Sequence, residues 1–241
     1  MEVRNDKRTK RLPQIITSQM VFTVVVVVLS LLIIAYGLGY RYDYKAFKVL
    51  KTGVLVVQGP PNDAQIHVNK TLGKVTQNKF SKSLAPGTYT VEVTKDGFVT
   101  WHETLRVESS SINLYDDVIL FRSNPIISNL TDAKKITQLE APEDILANTN
   151  NDFSVRGYEI WIGDQLTTRL STPVLRAIRY TDMSHVVYQQ RDEIRIVENN
   201  GKNDTLLVKL TSPAATKFVI GARGTELYYI DGEINKMAVI R

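Results

Sequence analysis

The sequence predicts a mainly β protein carried on one N-terminal transmembrane helix, and three observations lead there. A stretch without a charged side chain runs from Leu12 to Tyr40. Short apolar alternations then follow, broken by turn residues every 8 to 12 positions or so, the rhythm of a small antiparallel β-domain. Beyond residue 141 a strand pattern recurs with a period near 40 residues.

The uncharged stretch contains five consecutive valines, Val24 to Val28, which propensity alone would assign to a strand. Length decides otherwise, because strands run about five or six residues while roughly 20 apolar residues in a helix cross a bilayer core. Lipid offers backbone polar groups no partner, so the helix is forced despite the β-branching. A cleaved signal peptide would have a shorter apolar region and a small-residue cleavage site, of which Ala35-Tyr36-Gly37 is a poor copy. The expectation is an uncleaved signal anchor over 12–40, a cytoplasmic tail at 1–11 and a juxtamembrane linker at 41–52. Arg4, Lys7, Arg8, Lys10 and Arg11 precede the span, and Arg41, Lys45, Lys48 and Lys51 follow it. With so short a tail, the N-terminus is expected in the cytoplasm and the C-terminal part outside the cell membrane. Tyr36, Tyr40, Tyr42 and Tyr44 read as an interfacial belt.

Charge divides at the same place. Up to Lys51 nine Lys/Arg face three acidic residues, a net of +6, and the remainder holds 21 basic against 22 acidic groups, a net of −1. The basic balance is therefore a membrane-flank effect, and a nucleic-acid partner, which needs positive charge on the folded part, is excluded. No cysteine occurs, so a core without disulfides must stabilise the exported part.

Between Gly53 and Phe121, inward faces at period two are expected at Val54 and Val56, Ile66 and Val68, Tyr89, Val91 and Val93, and Leu105 and Val107. Pro86-Gly87 and Lys95-Asp96-Gly97 supply turns. The segment resembles the PEGA domain in its Val54–Val57 run, in Pro61-Asn62-Asp63-Ala64 at the name motif, in Leu84-Ala85-Pro86-Gly87-Thr88-Tyr89, and in Gly97-Phe98. Asn62 and Asp63 depart from the motif. The resemblance implies a compact, β-sandwich-like binding or spacer module of the cell envelope, with no catalytic residue to carry over. Residues 122–141 read as a linker with Asn124-Pro125, Asn129 and Asp132.

In the last part, Thr172–Ile194 matches Ser212–Ile234 at an ungapped offset of 40, with Pro173 on Pro213, Ile178 on Phe218, Val187 on Leu227, Tyr188 on Tyr228 and Ile194 on Ile234. A poorer copy runs from Pro142 to Asp164. Such a period is the signature of β-propeller blades, and the unit resembles a TolB-type or WD40-like blade with Tyr180-Thr181-Asp182-Met183-Ser184 at its turn. Residues 142–241 supply only about two and a half blades, where a closed propeller needs at least four. The expectation is an incomplete stack, finished by chain beyond Arg241, by the preceding domain, or by a second copy in a homo-oligomer.

No nucleophile motif, phosphate loop or metalloprotease motif occurs. His67, His102 and His185 stand in separate segments without ligand spacing; His67 and His102 could meet across a sheet, yet solvent-facing strand histidines are the expectation. Asp116-Asp117, borne on a strand, would point to opposite faces and so form no acid/base pair. The loop Asn148–Phe153 is oxygen-rich but lacks the spaced carboxylates of a calcium loop. Tyr228-Tyr229 with Trp161 could form an aromatic surface, but repeat position assigns the tyrosines to the core. Asn69-Lys70-Thr71, Asn129-Leu130-Thr131 and Asn203-Asp204-Thr205 fit an N-glycosylation triplet that matters only in a eukaryotic secretory setting. The expectation is thus a non-catalytic envelope or cell-surface protein without cofactor or metal, binding a protein or a glycan as adhesin or scaffold. The alternative is a sensor ectodomain acting with a separate membrane partner, and the third reading is an envelope hydrolase, which needs carboxylates or histidines converging in one pocket.

Overall fold

The computed structural model describes residues 11–44, 47–116, 118–141, 153–221 and 223–241. It is mainly β, with one long helix at the N-terminus. That helix, α1 (Arg11–Gly37), is unbroken through the valines, and Gln19–Gly37 is long and apolar enough to cross a membrane, with none of it buried against protein. Its hydroxyls are satisfied locally: Thr23 Oγ1 donates to the Gln19 carbonyl at 2.9 Å and Ser30 Oγ to the Val26 carbonyl at 2.8 Å. A span in hydrocarbon requires that internal satisfaction.

Residues 41–52, expected as a linker, instead carry most of a hairpin, β1 (Tyr40–Asp43) and β2 (Lys48–Lys51), in the register Tyr40↔Lys51 and Tyr42↔Val49. The next strands are β3 (Gly53–Gln58), β4 (Gln65–Val68), β5 (Thr71–Lys74), β6 (Lys79–Leu84), β7 (Gly87–Thr94), β8 (Trp101–Val107) and β9 (Ile112–Tyr115). Two compact units divide the chain: residues up to Val56 with Ser81–Thr88 and Arg106–Asn113, and Val57–Phe80 with Tyr89–Leu105 and Leu114–Arg241. The first holds most of the sheet ordered β6-β3-β9, and the second most of the sheet ordered β5-β4-β7-β8. In β8 the period-two burial holds perfectly, with Trp101, Glu103, Leu105 and Val107 inward. In β3 it does not: Leu55, Val56 and Val57 are all buried while Val54 is half-buried, because a strand covered on both faces carries no readable alternation. Asn69 and Lys70 join β4 to β5 with both φ values positive, as a type I′ hairpin requires.

In the second unit follow β10 (Ile126–Asn129), α2 (Ala133–Glu140), then β11 (Phe153–Arg156), β12 (Glu159–Ile162), β13 (Gln165–Arg169), β14 (Val174–Arg179), β15 (His185–Gln190), β16 (Glu193–Glu198), β17 (Thr205–Lys209), β18 (Phe218–Ile220), β19 (Glu226–Asp231) and β20 (Ile234–Val239). They form three antiparallel sheets, β11-β12-β13, β14-β15-β16-β17 and β18-β19-β20-β10. Ile160 packs with Val186, Tyr188 and Val197 between the first two sheets. Ile178, Val187, Ile194 and Ile196 meet Phe218, Leu227, Tyr229 and Ala238 between the second and third. From β10 onward the described residues form a stack of three sheets, and they show no closed propeller.

The true spacing of the repeat is 41 residues in its hairpins, not 40. Tyr180 N donates to His185 O and Gly221 N to Glu226 O, each at 3.0 Å; Met183 N donates to Tyr180 O and Gly224 N to Gly221 O. The pairs Tyr188↔Arg195 and Tyr229↔Lys236 likewise correspond. Tyr188 is therefore the counterpart of Tyr229, and Val187 of Tyr228. A one-residue slip sends every side chain to the other face, which is why Ile194 is fully buried while Ile234, its partner at 40, is 49% exposed. The ungapped match rewarded the prolines that precede the strands and missed one residue inserted after them.

Residues 122–141, read as a linker, close the stack. Strand β10 pairs with β20, Ile126 against Val239, although more than a hundred residues separate them. Asp132 caps α2, its carboxylate accepting from Lys134 N at 2.9 Å. The helix lays Ile136 and Leu139, three residues apart and so on one face, over Val219, Tyr228, Ile230 and Met237. Lys135 reaches Glu226 at 2.7 Å and lies 5.2 Å from the centre of the Tyr228 ring. Eight residues with two apolar side chains give too little periodicity to be recognised in the sequence.

Truncating the fully buried Leu139 to alanine opens a cavity under α2, and is expected to lower unfolding free energy by about 2–5 kcal/mol in denaturant titration. In the two-residue hairpins of the three sheets, the first loop residue has positive φ at Gly157, Gly163, Arg191 and Gly232. Arg191 alone bears a side chain there, so Arg191→Gly is expected to raise the unfolding free energy by up to about 1 kcal/mol, read as a higher denaturant midpoint. A fall in the midpoint would show that the arginine side chain stabilises the turn by more than its backbone strain costs.

Candidate functional site

Strand β8 brings Trp101 and Glu103 to one face, the end of β16 brings Glu198, and the loop after it Asn199 and Asn200. With Tyr115, Asp116, Val118 and Ser184 among the other lining residues, they bound a cleft of about 360 Å³ within the second unit. That is the lower end of the range for sites that hold a small ligand or a side chain.

Its walls are cross-linked by polar contacts over nearly a hundred residues of sequence. Trp101 Nε1 donates to Glu198 Oε1 at 2.5 Å, and Asn203 Nδ2 donates to the same oxygen at 3.0 Å. Glu103 Oε1 accepts from Thr104 N at 2.9 Å and from Lys202 Nζ, while Asn200 Nδ2 reaches its other oxygen at 3.5 Å. His102 N donates to Asn203 Oδ1 at 3.1 Å. Both glutamates are almost wholly buried, at 8% and 9% exposure, and burial of a carboxylate is tolerated when hydrogen bonds replace water. Asp116 adds a third, exposed carboxylate, so among the described residues the lining is acidic, with Lys202 paired to Glu103 at its edge.

Ser184 is held at the rim by the turn behind it. Asp182 Oδ1 accepts from Ser184 N at 2.9 Å and from His185 N at 3.2 Å, and Oδ2 lies 2.6 Å from His185 Nδ1. Burial alone would push the Asp182 carboxyl up, but these bonds, from the His185 ring first, outweigh it and hold the group below its ordinary value. His185 stands edge-on to Phe121 and Tyr180 in the interior.

The residues singled out in the sequence are mostly dispersed. His102 is exposed and His67 half-buried, on β8 and β4, with β7 between those strands, so they do not form a pair. His185 is buried rather than solvent-facing. Among the described residues no three His, Asp or Glu side chains are grouped to hold a metal. Asp117 and Asn148 to Asp152 lie outside the described residues, and Phe153 begins β11. Tyr228 packs under α2 and Tyr229 between two sheets, while Trp161 donates to Glu159 at 2.9 Å with Arg156 over its ring at 4.7 Å. No shared aromatic surface results. Asn69 forms the β4–β5 turn and accepts from Thr90 N at 2.8 Å, Asn129 ends β10, and Asn203 serves the cleft. Trp101, Glu103 and Glu198 were not anticipated, and the only sequence signal near them is the amide-rich run Glu198-Asn199-Asn200.

Replacing Trp101 with phenylalanine keeps the apolar bulk but removes the donor to Glu198 Oε1. A loss of about 1–3 kcal/mol is expected in denaturant unfolding, the cost of leaving a buried acceptor under-satisfied. Glu198→Gln should cost less, because its amide oxygen still accepts from the indole.

The PEGA domain family model matches residues 52–115, which take in the strands β3 to β9. The two departures from the name motif have local partners: Asn62 Oδ1 accepts from Asn78 N at 2.6 Å, and Asp63 pairs with Lys95 at 2.9 Å. The bond from Lys95 holds the Asp63 carboxyl below its ordinary value. No curated protein matches the chain.

Proposed function

We propose that this chain is a non-catalytic, membrane-anchored scaffold or adhesin of the cell envelope. In this reading α1 is an uncleaved anchor with its N-terminus in the cytoplasm, the PEGA-like strands and a partial propeller-like stack stand outside, and a partner protein places a Lys or Arg side chain in the cleft. The observation that carries it is the cleft lining, in which the carboxylates of Glu103, Glu198 and Asp116 outnumber the one cation described beside them, Lys202, which pairs with Glu103. A positive side chain entering there gains charge-assisted hydrogen bonds in a partly desolvated setting. A neutral sugar hydroxyl would also donate to these carboxylates, but without the ion-pair attraction that a Lys or Arg side chain adds.

One observation favours the hydrolase reading, namely that Glu103 and Glu198 line the same cleft. Each, however, already accepts two hydrogen bonds at one oxygen from the protein itself. Groups fixed in that way support walls better than they move protons.

The two tryptophans provide a test, since Trp101 lines the cleft and Trp161 does not. In the full chain in detergent micelles, titration with a short arginine-rich peptide is expected to move the Trp101 indole N–H resonance and leave that of Trp161 in place. Glu198→Gln with Glu103→Gln should weaken the effect at least tenfold, about 1.4 kcal/mol. Movement with neutral envelope oligosaccharides and not with the peptide would replace the protein partner by a glycan. No movement with either would remove the cleft as the binding site.

A further inference from the structure

Strands β1 and β2 start three residues after α1 ends, and they sort their side chains by chemistry. Directly paired residues and residues two apart share a face, so Tyr40, Tyr42, Val49 and Lys51 lie together, and Arg41, Asp43, Lys48 and Leu50 lie on the other side. Tyr40, Tyr42 and Val49 are exposed, and Tyr44 and Phe47 beside the turn are each 80% exposed. A two-stranded ribbon with that much bare aromatic and aliphatic surface is not stable in water by itself.

The hairpin is nevertheless held firmly at its base. Thr52 N and Oγ1 both donate to the Gly39 carbonyl, at 2.9 and 3.0 Å, and Gly39 adopts a φ of 88° to present it. Ser109 Oγ donates to Lys51 O at 2.9 Å and Ser110 N to Thr52 O at 3.2 Å. Arg41 lies 3.6 Å from the centre of the Tyr36 ring of α1 and donates to the Tyr36 carbonyl at 2.6 Å. The cations Arg41, Lys48 and Lys51 outnumber Asp43 among the described residues of the hairpin.

We infer that the β1–β2 hairpin is a lipid-binding element seated at the headgroup level of the leaflet that α1 leaves, its aromatic face in the interface and its cations on anionic lipid phosphates. The inference rests on reading α1 as a membrane anchor. The 19 residues from Gln19 to Gly37 rise about 28 Å as a helix, close to the hydrocarbon thickness. Residues 38–51 therefore emerge where Tyr side chains and Lys or Arg stems partition best. Continuity with the span and the sign of the charge both select lipid as the occupant of this face. The element is more than a belt of tyrosines, because the hydrogen bonds at Gly39, Lys51 and Thr52 fasten it to the loop Glu108–Ser111 in the same unit.

The chain has no cysteine, so single sites can be spin-labelled in the full-length protein. Val49→Cys, Val26→Cys in mid-helix and Glu233→Cys on the exposed β19–β20 turn are labelled and reconstituted in vesicles of equal phosphatidylcholine and phosphatidylglycerol. The expected result is that Val26 is accessible to oxygen and not to an aqueous nickel chelate, that Glu233 shows the reverse, and that Val49 is intermediate at phosphate depth. In the same vesicles Lys48→Glu with Lys51→Glu should shift the Val49 label towards water, each lost cation weakening surface attachment about fivefold. A Val49 label as open to nickel as Glu233, with Val26 still shielded, overturns the hairpin proposal and leaves the anchor standing. A Val26 label open to nickel overturns both.

Discussion

A β-sheet in an open stack has two faces to hide, and that constraint organises the second unit. The middle sheet is covered by its neighbours on both sides, which is why Val186 and Val187, pointing in opposite directions, are both fully buried. The third sheet has a neighbour on one side only. Its other face is covered by α2, a helix of eight residues, and its outer edge is completed by β10. Both elements come from upstream of all three sheets, so the chain commits residues 126–140 to a surface that forms only when β18–β20 are made. Contacts so distant in sequence are expensive in loop closure, and the third sheet is expected to consolidate late in folding.

The same constraint bears on how much could be read from the sequence. The long apolar helix was legible because length and lack of charge overrule the preference of Val24–Val28 for a strand, and the strand-rich remainder was legible from alternation and turn residues. The repeat was legible as a period, yet its register was not: Tyr188 and Tyr228 look equivalent, and only the hydrogen bonds of the turns show that Tyr229 is the counterpart. Alternation also fails at β3, where three successive residues are buried. The two segments taken as linkers were missed because their order is tertiary, set for β10 by β20 and for the hairpin after α1 by Thr52, Ser109 and Ser110.

The cleft was illegible for a related reason. Trp101 and Glu198 are 97 residues apart, and nothing in either neighbourhood marks the other. A buried glutamate is costly unless its oxygens are satisfied, so the position of Glu198 makes sense only once the indole and Asn203 are in place. Sequence patterns report faces and turns; they do not report which polar group will be paired across a fold.

Charge is distributed with the same locality. Residues beyond Lys51 sum to a net of −1, which alone would describe an indifferent surface. Yet three carboxylates line one cleft, whereas the described hairpin at the foot of α1 is positive. A long-range field from a net charge this small is screened within about 8–10 Å at ordinary ionic strength. In the proposed reading recognition arises from short-range groups held in place: carboxylates fixed by an indole, amides and Lys202 in one case, lysines and tyrosines on a pinned ribbon in the other. The anionic leaflet and the cationic side chain proposed above would then be met by different segments of the chain, and neither proposal depends on the global charge.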